Sequence, residues 1–228
     1  MAGEQSRAEK GLEELVSVFV HELKTPIAAV QGLAATLSRS LDELDRETAL
    51  RVAAALERSA LHLGELVRSF GDAHALEAGG LTLHPEPTGL ANLVRETVEE
   101  LRPLLVHRPV ELELDEGPRP SVDPVRIRQV LTNLLSNAAR YTPPGSQIDV
   151  TLSQAGDTVE LAVRDHGPGI PPEEAERVFQ RHARLSGDGS GSGLGLYVSR
   201  ELARAHGGDL LLGQPGGGGA QFILRLPH

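Results

Sequence analysis

His21 lies in the run Phe19-Val20-His21-Glu22-Leu23-Lys24-Thr25-Pro26. Apolar residues recur at Leu12, Val16, Phe19, Leu23, Ile27 and Val30, in the three- and four-residue steps of a single helix face. Residue 21 is about 200° round the helix from residue 19, so its imidazole is expected on the solvent side. Glu22 is adjacent, and Thr25 lies one turn further along on the same face as His21. A carboxylate that takes the proton from one ring nitrogen leaves the other as a nucleophile. The chemistry expected of this run is attack by His21 with acid–base help from Glu22. An exposed histidine without a role is the simpler alternative.

Three further constellations carry chemistry. Asn133 and Asn137 are a turn apart, with Arg140 three residues on and Tyr141 next to it. An amide oxygen is a hard ligand suited to Mg²⁺, and a guanidinium neutralises phosphate. A merely solvated strip is disfavoured, because Val130, Leu131, Leu134, Leu135 and Ala138 already give this helix a broad buried face. Asp165-His-Gly167-Pro-Gly169 ends an expected strand. Its glycines allow close backbone approach, and a strand-end aspartate can accept from an exocyclic amine such as that of adenine, although Asp-turns are common. Gly189-Ser-Gly191-Ser-Gly193-Leu194-Gly195 leads into a helix, whose first amides can bind phosphate. No Gly-Lys-Ser/Thr follows, and no strand precedes, so this is neither a Walker A loop nor a dinucleotide fingerprint. Alone it reads as a linker; with Asp165 and Asn137 it reads as a nucleotide pocket.

The elements that must position these groups fall into two sets. The first stripe continues through Ala34, Leu37, Leu41 and Leu44, with an irregular step beside Pro26, where a bend is expected. A second stripe runs Ala49, Ala53, Leu56, Ala60, Leu63, Val67, Phe70, and Ser40–Thr48 is polar enough for the turn. This is a helical hairpin. One hairpin buries little, so two are expected to pair as a homodimeric four-helix bundle, against the alternative of packing on the chain's own second half. Glu77–Pro87 reads as linker plus short strand. Beyond it, helices are expected over Thr88–Val106 (with Thr88 as cap), Pro124–Tyr141, Pro172–Phe179 and Gly193–His206. Strands are expected over Val110–Leu114, Ile148–Ser153, Thr158–Arg164, Leu210–Gly213 and Ala220–Leu226. The fold class is α+β: the hairpin, then a two-layer α/β sandwich with helices on one face of a mixed sheet.

Composition narrows the function. In 228 residues, 39 % are hydrophobic and 24 % charged, as in a soluble globular protein of one or two domains. No run approaches the roughly 20 apolar residues of a membrane span, and no signal peptide is visible. A net charge of -10 with no basic run argues against nucleic acid as a partner. Aromatics are only 3 %, so an aromatic ligand cage is not expected. Cysteine is absent, which excludes disulfides, thiolate metal sites and a cysteine nucleophile.

In this order and spacing the blocks resemble the catalytic core of the sensor histidine kinases of two-component systems. Phe19–Pro26 is similar to the H box, Asn133–Tyr141 to the N box and Asp165–Gly169 to the G1 box. Phe179 is similar to the F box and Gly191–Gly195 to the G2 box, and His206-Gly-Gly also fits the pattern. The second aromatic of the F box is replaced: Phe179-Gln-Arg181-His182 carries histidine there, and the lid after it is short and rich in Gly and Ser.

The resemblance implies residues 1–76 as a dimerisation and phosphotransfer domain, 77–84 as a hinge and 85–228 as a Bergerat-type ATP-binding domain. It implies ATP and Mg²⁺ as cofactors, with His21 as phospho-acceptor, Glu22 as its base and Thr25 as a residue of phosphatase activity. Asn137 would hold the metal, Asn133, Arg140 and Tyr141 would line the nucleotide, and Asp165 would hold adenine. Gly167, Gly169, Gly193 and Gly195 would flank a mobile lid over the phosphates, and Phe179, Gly191 and Leu194 would belong to the same cofactor-binding set. It also implies a response-regulator receiver domain as partner, and a cytoplasmic location, on its own or as part of a larger sensor system. A non-kinase ATPase of the same nucleotide fold, or a kinase-dead scaffold that binds a regulator, are the competing functions.

Overall fold

The structure, a computed structural model, describes residues 19–20, 23–39, 44–77, 80–181, 183, 193–213 and 215–228. The chain divides into two compact units. One contains the helices before Leu81, and the other contains Leu81–Gly187 with Gly195–His228.

Among the described residues the helical unit has two helices. The first, α1, is described over residues 19–20 and 23–39 and runs through Pro26, which is buried. The second, α2, spans Arg46–Glu77. It starts inside the turn that the sequence assigns to Ser40–Thr48, because Asp45 caps it. The Asp45 carboxylate accepts from the Thr48 amide at 2.7 Å and the Thr48 hydroxyl at 3.0 Å. The Thr48 amide is the main cause that holds this carboxyl below its ordinary range. Phe19 stacks on Phe70 with ring centroids 3.9 Å apart, which joins the two stripes near the His21 run. Val20, Leu50, Leu61 and Val67 remain exposed large apolar residues.

The α/β unit is built from β1 (Glu86–Pro87), α3 (Leu90–Glu100), α4 (Arg102–Leu105), β2 (Val110–Leu114), β3 (Ser121–Val122), α5 (Pro124–Tyr141), β4 (Ile148–Ala155), β5 (Thr158–Asp165), α6 (Gly195–Ala205), β6 (Asp209–Gly213) and β7 (Gln221–Pro227). Two 3₁₀ turns, Pro172–Glu174 and Arg177–Phe179, stand where one helix was expected. The helix expected over Thr88–Val106 is likewise two. Pro103 has no N–H to return to Glu99, and the chain re-enters helix after Leu101. Thr88 is not its cap. Its hydroxyl donates to the Glu86 carbonyl at 2.9 Å and the Val122 carbonyl at 3.3 Å, so it fastens the small β1–β3 ribbon.

The main sheet has the order β2-β4-β5-β7-β6. Among the described strands only the β2–β4 pair is parallel. β4 and β5 form a hairpin that pairs Ile148 with Asp165 and Ala155 with Thr158. Alternate residues face the helices, as the period of two requires. Ile148, Val150, Val159, Leu161, Val163, Leu210, Leu224 and Leu226 are buried on that face, and α5 packs on β5 and α6. Each fully buried aliphatic side chain contributes about 1.5–3 kcal/mol. The result is the α/β sandwich read from the sequence. Among the described residues no helix is long and apolar enough to cross a membrane.

Candidate functional site

Asp165 is the last residue of β5, and 6 % of its surface is exposed. Its Oδ1 accepts from the Gly167 amide at 2.8 Å and the Ala220 amide at 3.2 Å. Oδ2 has no hydrogen-bond partner among the described residues, and it is not sealed from solvent. The aspartate therefore offers one anchored oxygen and one open acceptor. Gly167 is tight. A Cβ there would lie 2.6 Å from the Tyr141 carbonyl oxygen and 3.0 Å from Asp165 Oδ1, so only glycine lets the end of α5 and the end of β5 approach. The structure thus brings Tyr141, Asp165 and Gly167 together. Gly169, with φ +78°, continues the turn.

α5 presents the amide strip. Asp123 caps this helix by accepting from the Val125 and Arg126 amides, with Pro124 in the first turn. Asn133 is half-buried, and its Nδ2 donates to Ser199 Oγ of α6 at 2.9 Å. A Cβ on Gly195 would collide with the Asn133 carboxamide, which makes Gly195 the residue that lets α6 begin beside α5. Asn137 is half-buried, and its carboxamide makes no hydrogen bond with a described residue. Among the described residues no group of three His, Cys, Asp or Glu could hold a metal ion. The Asn137 amide oxygen, a hard donor with no hydrogen-bond partner among the described residues, is of the type that would suit Mg²⁺. Arg140 and Tyr141 close the helix on its exposed side.

Phe179 meets Phe222 of β7 edge-on, with centroids 6.1 Å apart, and the Arg200 guanidinium of α6 lies over the Phe179 ring, 4.6 Å from its centroid. Arg200 also donates to Asp209 at 2.9 Å and Glu176 at 2.8 Å, and these carboxylates, Asp209 foremost, push its guanidinium pKa further up. Arg181 stacks on Tyr197 and donates to its hydroxyl at 3.0 Å. Both ends of the segment around Phe179 are thereby tied to α6. Beside Asp165, His166 Nε2 lies 2.8 Å from Asp149 Oδ2. Burial alone would raise the Asp149 carboxyl, but hydrogen bonds from Gln147 and His166 outweigh it and hold it low.

His21, Glu22 and Gly191 lie outside the described residues. Thr25 is an exposed residue of α1, Gly193 has φ +62° and Leu194 is buried. Three residues of the α/β unit were not anticipated: Ser199 as partner of Asn133, Arg200 behind Phe179, and Ala220 behind Asp165. Only the last had a signal, the glycine run Gly216–Gly219 that precedes it.

Comparison with known proteins places these features in context. Residues 12–79 match the family model described as His Kinase A (phospho-acceptor) domain. Residues 122–228 match that of the Histidine kinase-, DNA gyrase B-, and HSP90-like ATPase. The circadian input-output histidine kinase CikA of Synechococcus elongatus is 33 % identical over 236 residues, covering 98 % of this chain and 30 % of its own length. The sensor-like histidine kinase SenX3 of Mycobacterium tuberculosis is 32 % identical over 228 residues, covering 97 % of this chain and 55 % of its own. The chain thus spans about half or less of these curated relatives. Among solved structures, the mycobacterial sensor histidine kinase MprB superposes with a TM-score of 0.58 at 31 % identity, over 63 % of this chain and 97 % of that one.

Proposed function

We propose a function from one premise: the chain belongs to the sensor histidine kinases. It moves the γ-phosphoryl group of ATP to an imidazole nitrogen of His21, and from there to an aspartate of a response-regulator receiver domain. The Nε2 lone pair of His21 forms the N–P bond, the bond from the γ-phosphorus to the β,γ-bridging oxygen breaks, and ADP leaves. Glu22 takes the proton from Nδ1, so the ring ends neutral apart from the phosphoryl group. Most of the rate comes from positioning and charge neutralisation.

Within the α/β unit, Asp165 Oδ2 accepts from the adenine amine. Asn133, Arg140 and Tyr141 line the nucleotide, and Arg140 offsets phosphate charge. Asn137 supplies the amide oxygen for Mg²⁺, which draws charge from the phosphates when bound. Gly167, Gly169, Phe179, Gly191, Gly193, Leu194 and Gly195 border the lid, and the first amides of α6 face the phosphates. Residues 1–76 form the dimerisation and phosphotransfer domain, 85–228 the ATP-binding domain, and 77–84 the hinge whose motion brings ATP to His21. Thr25 serves the reverse, phosphatase reaction. The exposed apolar residues of the helical unit favour a homodimer, and the protein works on the cytoplasmic side.

The observation that carries this reading is the Asp165 carboxylate, with one oxygen fixed by two amides and the other open beside glycines that admit a ligand. Incubation with γ-labelled ATP and Mg²⁺ tests it. The chain is expected to acquire acid-labile, base-stable label that is lost in His21→Gln. Release of phosphate without labelling would instead identify an ATPase, and no reaction at all a scaffold.

A further inference from the structure

The backbone behind Asp165 comes from the far end of the chain. Besides donating to Asp165 Oδ1, Ala220 accepts from the Asp165 amide at 2.8 Å, so the two residues are bonded twice. Ala220 follows the glycine run that joins β6 to β7. Gly217, Gly218 and Gly219 have φ of +94°, +88° and +80°, a region that L side chains rarely adopt. Gly218 and Gly219 differ in their surroundings. Around Gly218 nothing lies within 4 Å of a Cβ. A Cβ on Gly219 would collide with the Asp165 carbonyl oxygen and lie 3.1 Å from His166 Cα. The Gly219 carbonyl oxygen, in turn, is 3.0 Å from where a Cβ of Gly169 would stand. Gly218 needs glycine for its backbone alone; Gly219 needs it for backbone and for space.

We propose that Gly219 and the Ala220 amide are positioning residues for purine recognition: by seating backbone directly against Asp165 they fix Oδ1, aim Oδ2, and so set the preference for adenine over guanine nucleotides. The inference rests on the reading that Asp165 receives the adenine amine. A carboxylate is planar, so two amides on one oxygen fix the direction of the other. Adenine presents a donor to that oxygen, whereas guanine presents a carbonyl acceptor, and two acceptors face to face leave both unpaired. A carboxylate released from Ala220 can turn, admit water and tolerate either base. The hairpin thus acts on selectivity as well as affinity. A purely structural glycine would weaken both nucleotides equally, through the fraction folded.

Titration calorimetry with ATP and GTP, each with Mg²⁺, tests this on the full chain. The expected result is that Gly219→Ala weakens ATP by roughly tenfold or more and GTP by clearly less, as loss of a built polar contact does. Gly218→Ala, which shares the backbone strain, keeps the ATP-to-GTP ratio of the unmodified chain. A Gly219→Ala chain with an unchanged ratio overturns the inference while leaving the proposed function intact. An unmodified chain that binds neither nucleotide, or shows no preference for ATP, overturns both. If Gly219→Ala does not melt cooperatively, amide shifts of the unmodified chain decide. The Ala220 and Gly167 signals should move with one midpoint on adding ADP, and a moving Gly167 with a still Ala220 rejects the role.

Discussion

The imidazole of His206 accepts a hydrogen bond at 3.0 Å from the backbone amide of Asp123, 83 positions earlier in the chain. Its other nitrogen lies 2.7 Å from the Leu202 carbonyl, which can only accept, so Nδ1 carries the proton and the ring is neutral. This one side chain joins the end of α6 to the start of α5, and both ring nitrogens are occupied. His206→Ala leaves the buried Asp123 amide without a partner and should cost about 1–3 kcal/mol in urea unfolding. A change below about 0.5 kcal/mol, the ordinary surface range, would contradict the role.

Asp123 itself predicts an acid limb. Burial favours its neutral form, but amides of His84, Arg126 and Val125 outweigh that and hold the carboxyl below its ordinary 3.8. The folded value is lower than the unfolded one. Its contribution is therefore present above the unfolded value and is lost as pH falls below about 4. Asp123→Asn keeps a good cap, so at pH 7 it should lose little, while its stability should fall less steeply below pH 4. Asp123→Ala should cost about 1–2 kcal/mol at pH 7. Denaturant titrations across pH 3–7 (with each variant compared at matched ionic strength) provide the check.

At the junction of α5 and α6, Gly195→Ala sets two effects against each other. Alanine favours helix over glycine by about 1 kcal/mol. Its Cβ, however, displaces the Asn133 carboxamide and breaks the bond to Ser199. The expected outcome is little net change in melting temperature with a several-fold loss of ATP affinity, on the scale of one lost hydrogen bond of about 1 kcal/mol. Unchanged affinity would mean that Asn133 does not need its present position.

Arg200 should behave as a hub. Its side chain is 11 % exposed and serves Asp209, Glu176 and the face of Phe179 together. Arg200→Ala removes the main partner of the half-buried Asp209 carboxylate, which keeps only Arg204 at 3.3 Å and the Leu210 amide at 2.9 Å, and it takes the guanidinium off Phe179, at an expected cost of about 1–2 kcal/mol. A double-mutant cycle with Asp209→Ala should return a coupling of about 0.5–3 kcal/mol. Additive single effects would remove the pair as a source of stability.

Much of the α/β unit was legible because its signals are local. Asp123-Pro124 fixes the start of α5 to the residue, and the alternation of Ile148–Ser153 and Thr158–Arg164 marks β4 and β5. The errors arose where a short-range signal competed with a tertiary one. Thr88 has the type of a cap, yet its hydroxyl finds carbonyls of the β1–β3 ribbon, a pairing between distant segments that no local pattern reveals. Pro103 splits a helix whose apolar periodicity runs on. In the site, Asp165 and Gly167 announce themselves through residue type. Ser199, Arg200 and Ala220 do not, because a serine on a helix or an alanine before a strand is ordinary until the fold brings an Asn, a Phe or an Asp against it.

In the sheet, β7 lies between β5 and β6, and it is the last of the strands to be made. A growing chain can close the β4–β5 hairpin early, but Asp165 gains its Ala220 partner only once translation has passed the final hairpin. With Asp165 in the proposed role, a product that stops before Ala220 lacks one of the two amides that fix its Oδ1, and it should hold ATP less well than the finished unit.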